Sequence, residues 1–445
     1  MSVLSHITYR KIWTIAYPVI IGSIAQNLIV ITDTAFLARV SETALGAAAI
    51  GGMFYMALVM IGAGLGLGTQ IIIARRFGER KYAQTGTVLR HSAILALAIS
   101  ATLFVAYFLW GKALLTAFMH SAGVLNASVE FLNYRMFGIF FAFFNYLFNA
   151  FYVGIARTAI LSRATVLIAV VNIILDYLLV FGKFGFPQMG VGGAALASTI
   201  AELCGMLYFL YFSFTPANYA KYRIWKFEKL SLESMRNLLL VSAPLMMQYM
   251  LSFFTWFIFF LMIERMGERP LAVSNIIRSI YQILLLPTWG FASAASSQVS
   301  YVIGCGEKES VMPLTLRIAK LALLAVMPLI LLMLLLGHYV MLLYTNDVSL
   351  INDCMAVLPV IAAASLLLAP AFIFFSAISG TGSTQISFAN EMVVISFYLL
   401  FTFIIVRQPW VSTPIVWIAE IVYSTMMGTL AFSYLRFGGW RKRRI

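Results

Sequence analysis

The chain has 445 residues, of which 62% are hydrophobic and only 10% charged. That balance excludes a water-soluble globular domain, because too few polar side chains exist to face water. The net charge of +14 would suit a nucleic-acid partner, but its distribution along the chain excludes one, as shown below.

Apolar runs of about 20 residues recur throughout, each long enough to cross a bilayer. They fall near residues 12–37, 45–72, 88–110, 130–155, 162–182, 190–214, 237–263, 271–303, 316–337, 354–379, 388–406 and 411–435. The prediction is an all-α polytopic membrane protein with twelve transmembrane helices and no soluble domain. The first run is too long for a cleavable signal and leads directly into the next.

The first span (IWTIAYPVIIGSIAQNLIVITDTAFL) carries Pro18 and Asp33. The fifth (VLIAVVNIILDYLLVFGKF) is apolar apart from Asn172, Asp176 and a terminal lysine. A charged side chain at mid-membrane costs about 3 kcal/mol on insertion scales, so each acid is a functional candidate. Asp33 lies six residues before Arg39, and Asp176 seven before Lys183. At the helical rise both sit about 10 Å below the outer interface. Asn172 shares the Asp176 face at a spacing of four. Ser198 lies eight residues past Gly190, about 12 Å deep, so four polar groups from spans 1, 5 and 6 share one layer.

Burial favours the protonated form of a carboxyl group, and a second carboxylate nearby favours it further. Such a pair can hold a proton near neutral pH. The same oxygens, with Asn172 and a hydroxyl, can instead hold Na⁺. A purely structural reading gives each acid a helix–helix hydrogen bond or salt bridge. In this half the intramembrane base available for one is Arg135, near the start of span 4. Glu202 and Glu420, in matched places of spans 6 and 12, either pack helices or line a cavity that attracts a cationic substrate. Arg278 in span 8 is a snorkelling or salt-bridge residue, or an anion contact. Pro18 removes a backbone hydrogen bond about fifteen residues before Asp33 and is a candidate hinge. Pro244 stands at the matching place, so the kink is equally an architectural feature.

The chain repeats itself. An offset of 226 aligns Pro18 with Pro244, Glu42 with Glu268 and Gly154 with Gly380. Ile200-Ala201-Glu202 matches Ile418-Ala419-Glu420 after a shorter loop. Six spans per half give both halves one orientation, a parallel repeat about an axis along the membrane normal. The expected organisation is therefore two pseudo-twofold-related six-helix lobes, 1–214 and 237–445, joined by a polar basic linker, 215–236.

With the start of the chain inside, twenty-two of the thirty Lys and Arg residues fall in inside segments and six in outside ones. This positive-inside bias predicts cytoplasmic termini in a cytoplasmic membrane. It makes the basic loops topology signals and lipid contacts rather than nucleic-acid sites. Cys204, Cys305 and Cys354 have no pairing or metal spacing. The four histidines (His6, His91, His120, His338) are dispersed, which argues against an integral-membrane enzyme. Nothing in the sequence calls for a cofactor or for more than a monomer.

The segments Thr32-Asp33-Thr34, Leu45 to Gly51 (LGAAAIG), Asn172 to Asp176 (NIILD) and Gly192 to Ser198 (GGAALAS) resemble those of the MATE (multidrug and toxic compound extrusion) transporters over essentially the whole chain. The resemblance implies two six-helix lobes and cation-coupled export of lipophilic or cationic small molecules by alternating access. It implies a cation site, for H⁺ or Na⁺, at Asp33, Asn172 and Asp176. Ser198 stands where that pattern often has Thr. Met246–Ile263 and Ala356–Ser379 lack the acids that one branch carries there, so the resemblance is to the DinF-type branch. An alternative within the same superfamily is a flippase for lipid-linked oligosaccharides. It would want cationic residues such as Arg278 for a pyrophosphate headgroup.

Overall fold

The structure is a computed structural model that describes residues 7–119, 121–224 and 230–442. His6, His120 and part of the expected linker, 225–229, lie outside the described residues. Among the described residues eleven helices are long and apolar enough to cross a membrane, and a bent helix pair brings the number to twelve when it is counted as one span. We number the spans α1 (Tyr9–Ala38), α2 (Glu42–Gly78), α3 (Tyr82–Ala106, continued through a π-helical turn) and α4 (Ala122–Arg135 and Gly138–Gly154). There follow α5 (Ala159–Phe181), α6 (Gly190–Ser213), α7 (Leu232–Glu264) and α8 (Glu268–Gly304). The last four are α9 (Val311–Met341), α10 (Val348–Gly380), α11 (Thr384–Ile405) and α12 (Thr413–Phe437).

Local chemistry sets several helix ends. The Ser41 hydroxyl accepts from the Ala44 amide at 3.0 Å and caps α2, with Glu42 in its first turn and Arg75 and Arg76 in its last. Acid at the start and base at the end both complement the helix dipole. The Asp347 carboxylate caps α10 by accepting from Ser349 and Leu350. α5 ends at Gly182, whose φ of +65° closes the last turn in the left-handed region.

The expected straight span over 130–155 is instead two arms bent by 52° between Arg135 and Gly138. A side chain at Gly138 would meet Glu202 Oε2 at 2.8 Å and Thr199 Oγ1 at 3.1 Å. Glycine there lets the bend close onto α6. α7 begins at Leu232, inside the segment read as linker, and a short helix, Pro216–Tyr222, precedes it.

The chain forms two compact units. One is Ile21–Met246, and the other joins the start of the chain through Ile20 to the residues from Met247 onward. The division falls inside α1 and α7, in each case two residues past an internal proline, Pro18 or Pro244. Proline also lies inside α8, α9 and α10, so Pro18 is not exceptional in kind. In the first unit α2 packs on both arms of α4, and α5 packs on α6. In the second, α10 packs on α8, α9 and α12, and α11 on α12.

Candidate functional site

The first unit gathers its polar side chains on α1, α5 and α6. Asp176 and Asn172 are buried at 0% and 1% exposure; Asp33 and Ser198 are partly buried. The Asn172 amide sits between the two acids. With its nitrogen turned to the carboxylates, it donates to Asp33 Oδ1 at 3.2 Å and Asp176 Oδ2 at 3.3 Å. Its oxygen then accepts from Ser198 Oγ at 3.2 Å. The reverse orientation would set oxygen against oxygen, so the network assigns the amide.

The Asn172 amide thus draws both carboxyl groups to one nitrogen, and two acids held so close are relieved by a shared proton. Asp176 Oδ1 is buried without a hydrogen-bond partner among the described residues. A buried carboxylate oxygen with no donor is costly. A proton or an oxygen-seeking cation is what this arrangement accommodates.

Beside the acids stands Arg135, at the bend of α4, close enough to exert Coulombic attraction on both. Its guanidinium is already committed. Nη1 donates to Glu202 Oε2 at 2.8 Å and Nη2 to Oε1 at 2.5 Å, a two-pronged charge pair. The Tyr55 ring lies 3.9 Å from the guanidinium carbon, and the Tyr55 hydroxyl donates to Glu202 Oε2 at 3.1 Å. Asn145 of α4 holds the Glu202 main-chain carbonyl at 2.9 Å. Glu202 thus spends its charge on Arg135.

Glu420 lies in the second unit. It is 4% exposed and accepts from Tyr281 at 3.0 Å and Tyr398 at 2.8 Å. Tyr281 stands 226 residues after Tyr55, so the tyrosine–glutamate pair is itself repeated in the two units. The rest of the site is not repeated. At that offset Asp33, Asn172 and Asp176 correspond to Phe259, Tyr398 and Thr402. Phe259 packs on Tyr398 at 5.4 Å and on Trp417 at 5.5 Å. A ring stands in place of Asp33, and Thr402, whose hydroxyl donates to the Tyr398 carbonyl at 2.8 Å, in place of Asp176.

Arg278, exposed on α8, lies 4.9 Å from the Phe260 ring. It has no carboxylate partner among the described residues. Pro18 is buried on α1, fifteen residues from Asp33, and belongs with the second unit, whereas Asp33 belongs with the first. Reading the spans does not single out Tyr55, Tyr281, Tyr398, Tyr423 or Glu391. Tyrosines give no hydropathy contrast. Glu391 does, since it interrupts an apolar helix just as Asp176 does.

A helical protein with eleven or twelve candidate spans among its described residues, and two acids bridged between them, is an integral membrane protein in class. The MatE family model matches residues 18–178 and again 244–405, two copies that start at Pro18 and Pro244. The chain belongs to the MatE family, which comprises membrane transporters and not enzymes. Among curated relatives, "Probable multidrug resistance protein NorM" of Thermotoga maritima is 24% identical over 98% of this chain and 94% of its own length. The protein of the same name from Agrobacterium fabrum is 21% identical over 71% of this chain and 68% of its own length. Among solved structures, MATE in complex with MaL6 superposes with a TM-score of 0.90 at 22% identity, over 96% of this chain and 95% of that one. An outward-facing multidrug resistance MATE family transporter also gives 0.90, at 21% identity, over 98% and 97%. These matches identify the family and do not distinguish its branches.

Proposed function

We propose that this transporter is a cation-coupled antiporter that exports lipophilic or cationic organic compounds. The coupling ion, H⁺ or Na⁺, binds at Asp33, Asn172, Asp176 and Ser198. The observation that carries this reading is the Asn172 amide bridging two acids while Asp176 Oδ1 has no donor among the described residues. The names of the NorM relatives support the substrate class. The distribution of basic residues supports a cytoplasmic membrane with both termini inside. Arg278, the cation that a pyrophosphate headgroup would seek, lies exposed on α8 against the Phe260 ring. The acid pair therefore favours the antiporter over the lipid-linked oligosaccharide flippase.

The cation binds from outside, balances the two carboxylates, and weakens substrate binding in the outward-facing form. Release inside restores the charged pair and reloads the site. A ligand drives such a cycle only through unequal affinity for the two states.

The test is efflux of a fluorescent lipophilic cation from proteoliposomes, with a pH gradient and a Na⁺ gradient imposed separately. Transport under one gradient names the ion. Asp33→Asn and Asp176→Asn should each abolish it while the protein stays folded. Full export in both variants would sink the site assignment.

A further inference from the structure

Besides Glu420, the second unit holds another buried acid that the coupling reading does not use. Glu391 on α11 is 2% exposed. Ser252 of α7 donates to its Oε1 at 2.9 Å, and Tyr423 of α12 donates to the same oxygen at 2.9 Å. Oε2 is buried without a hydrogen-bond partner among the described residues. No Lys, Arg or His pairs with this carboxyl among the described residues.

An ionised carboxylate shares its charge over both oxygens, and leaving one bare inside a membrane span is heavily penalised. A proton on Oε2 removes the charge. Oε1 then becomes a carbonyl oxygen, whose two lone pairs match the two donors that reach it. The arrangement is that of a neutral carboxylic acid with its hydroxyl at Oε2. A metal cation fits less well, since it needs several oxygens with lone pairs turned toward it. Here the Ser252 and Tyr423 hydroxyls turn their hydrogens to Oε1 instead.

The neighbours continue the polar chain. Tyr423 packs edge to face on Tyr398 at 5.7 Å, and Tyr398 reaches Glu420, which Tyr281 of α8 also contacts. On the other side the Gln248 side chain of α7 accepts from Ser387, and the Gln248 main-chain carbonyl lies 3.0 Å from the Ser252 hydroxyl, an alternative acceptor for the one hydrogen that Ser252 gives to Oε1. The titratable groups facing Glu391 are therefore Tyr423 by contact and, beyond it, Tyr398, Glu420 and Tyr281. Hydroxyls in such a row can donate one proton while accepting another.

We propose that Glu391 is a proton-binding site of the second unit, separate from the Asp33–Asp176 site and neutralised by a proton on its Oε2. It is not a copy of the first site, because its equivalent at the repeat offset is Thr165. Proton binding at Glu391 stands without the coupling reading; only its use in export rests on it.

The experiment is a pH titration of the purified full chain in detergent, following proton uptake and the infrared carbonyl band of protonated carboxyl groups. Glu391→Gln should remove one component of that band and lower uptake by about one proton per chain. Asp33→Asn and Asp176→Asn should retain the component. Tyr423→Phe keeps the acid, removes one donor to Oε1, and should move the midpoint of the component. A band and uptake untouched by Glu391→Gln overturn the proposal, as does a component that never titrates, which would mark a permanently neutral acid. If Glu391→Gln does not fold, Tyr423→Phe decides, and an unmoved midpoint overturns the proposal. Failure of the coupling reading would appear elsewhere, as ion-driven efflux that survives in Asp33→Asn and Asp176→Asn.

Discussion

Arg135 and Glu202 meet through both guanidinium nitrogens, at 2.5 and 2.8 Å, beside the Asp33–Asp176 acid pair. One cation thus faces three acids and is bonded to the one that lies outside the pair. The acid pair feels its field but has no ion pair with it among the described residues, and on the proposed reading the coupling cation supplies that countercharge.

Breaking this ion pair should be costly. Arg135→Gln leaves Glu202 uncompensated inside the helix bundle, at about 3–5 kcal/mol. Thermal unfolding of the detergent-solubilised protein should show the loss. Replacing both partners by Met should recover most of it, because then no lone charge is buried. A double variant as unstable as Arg135→Gln would show that packing, not charge, sets the cost.

Asn172 is expected to matter through its amide. Asn172→Ala removes the donor to both acids and the acceptor for Ser198, at about 1–3 kcal/mol of stability. Ion-driven efflux should fall about tenfold or more, equivalent to about 1.4 kcal/mol in the cycle. Retained efflux at the wild-type rate would show that the acids bind the ion without the amide.

The repeated tyrosine–glutamate pair gives an internal comparison. Tyr55→Phe leaves Glu202 with the Arg135 guanidinium, whereas Tyr281→Phe leaves Glu420, among the described residues, with the Tyr398 hydroxyl alone. The second change should therefore cost more, about 1–3 kcal/mol against about 1 kcal/mol for the first. Equal losses measured by denaturation would mean that the two glutamates are held alike.

A pH-dependent contribution is expected at Glu79, just past the end of α2. Partial burial pushes its carboxyl up, but hydrogen bonds from Lys81 and Arg76 outweigh that and hold it below its ordinary value. The contacts are 2.9 and 2.8 Å. A carboxyl lowered by folding stabilises the protein above its unfolded value and loses that contribution as pH falls through the folded one. Wild type should exceed Glu79→Gln by up to about 1 kcal/mol at neutral pH. The gap should close in acid, and a constant gap across the titration would refute the assignment.

The spans were legible because hydropathy is local: twenty apolar residues in a row read as a membrane helix wherever they fold. The repeat was legible as a recurring offset, and the double family match follows the same offset. Asp33, Asn172 and Asp176 stood out against apolar neighbours, and counting residues from the span ends put them in one layer. Glu391 gave the same kind of signal within FANEMVVISF, but an acid near a span's edge is easily taken for an interfacial residue.

What the sequence determined by itself is the twelve-span class, the repeat and which acids lie in apolar helices, since each depends on neighbours along the chain. Only the tertiary structure decided what those acids touch. Arg135 meets Glu202 across 67 residues, and Ser252 meets Glu391 across 139. It also decided that α4 bends next to Gly138 and that Phe259, the counterpart of Asp33, packs among the rings of Tyr398 and Trp417. Whether a buried carboxylate is neutralised, bonded or left open depends on side chains from other helices, and composition along one helix carries no information about them.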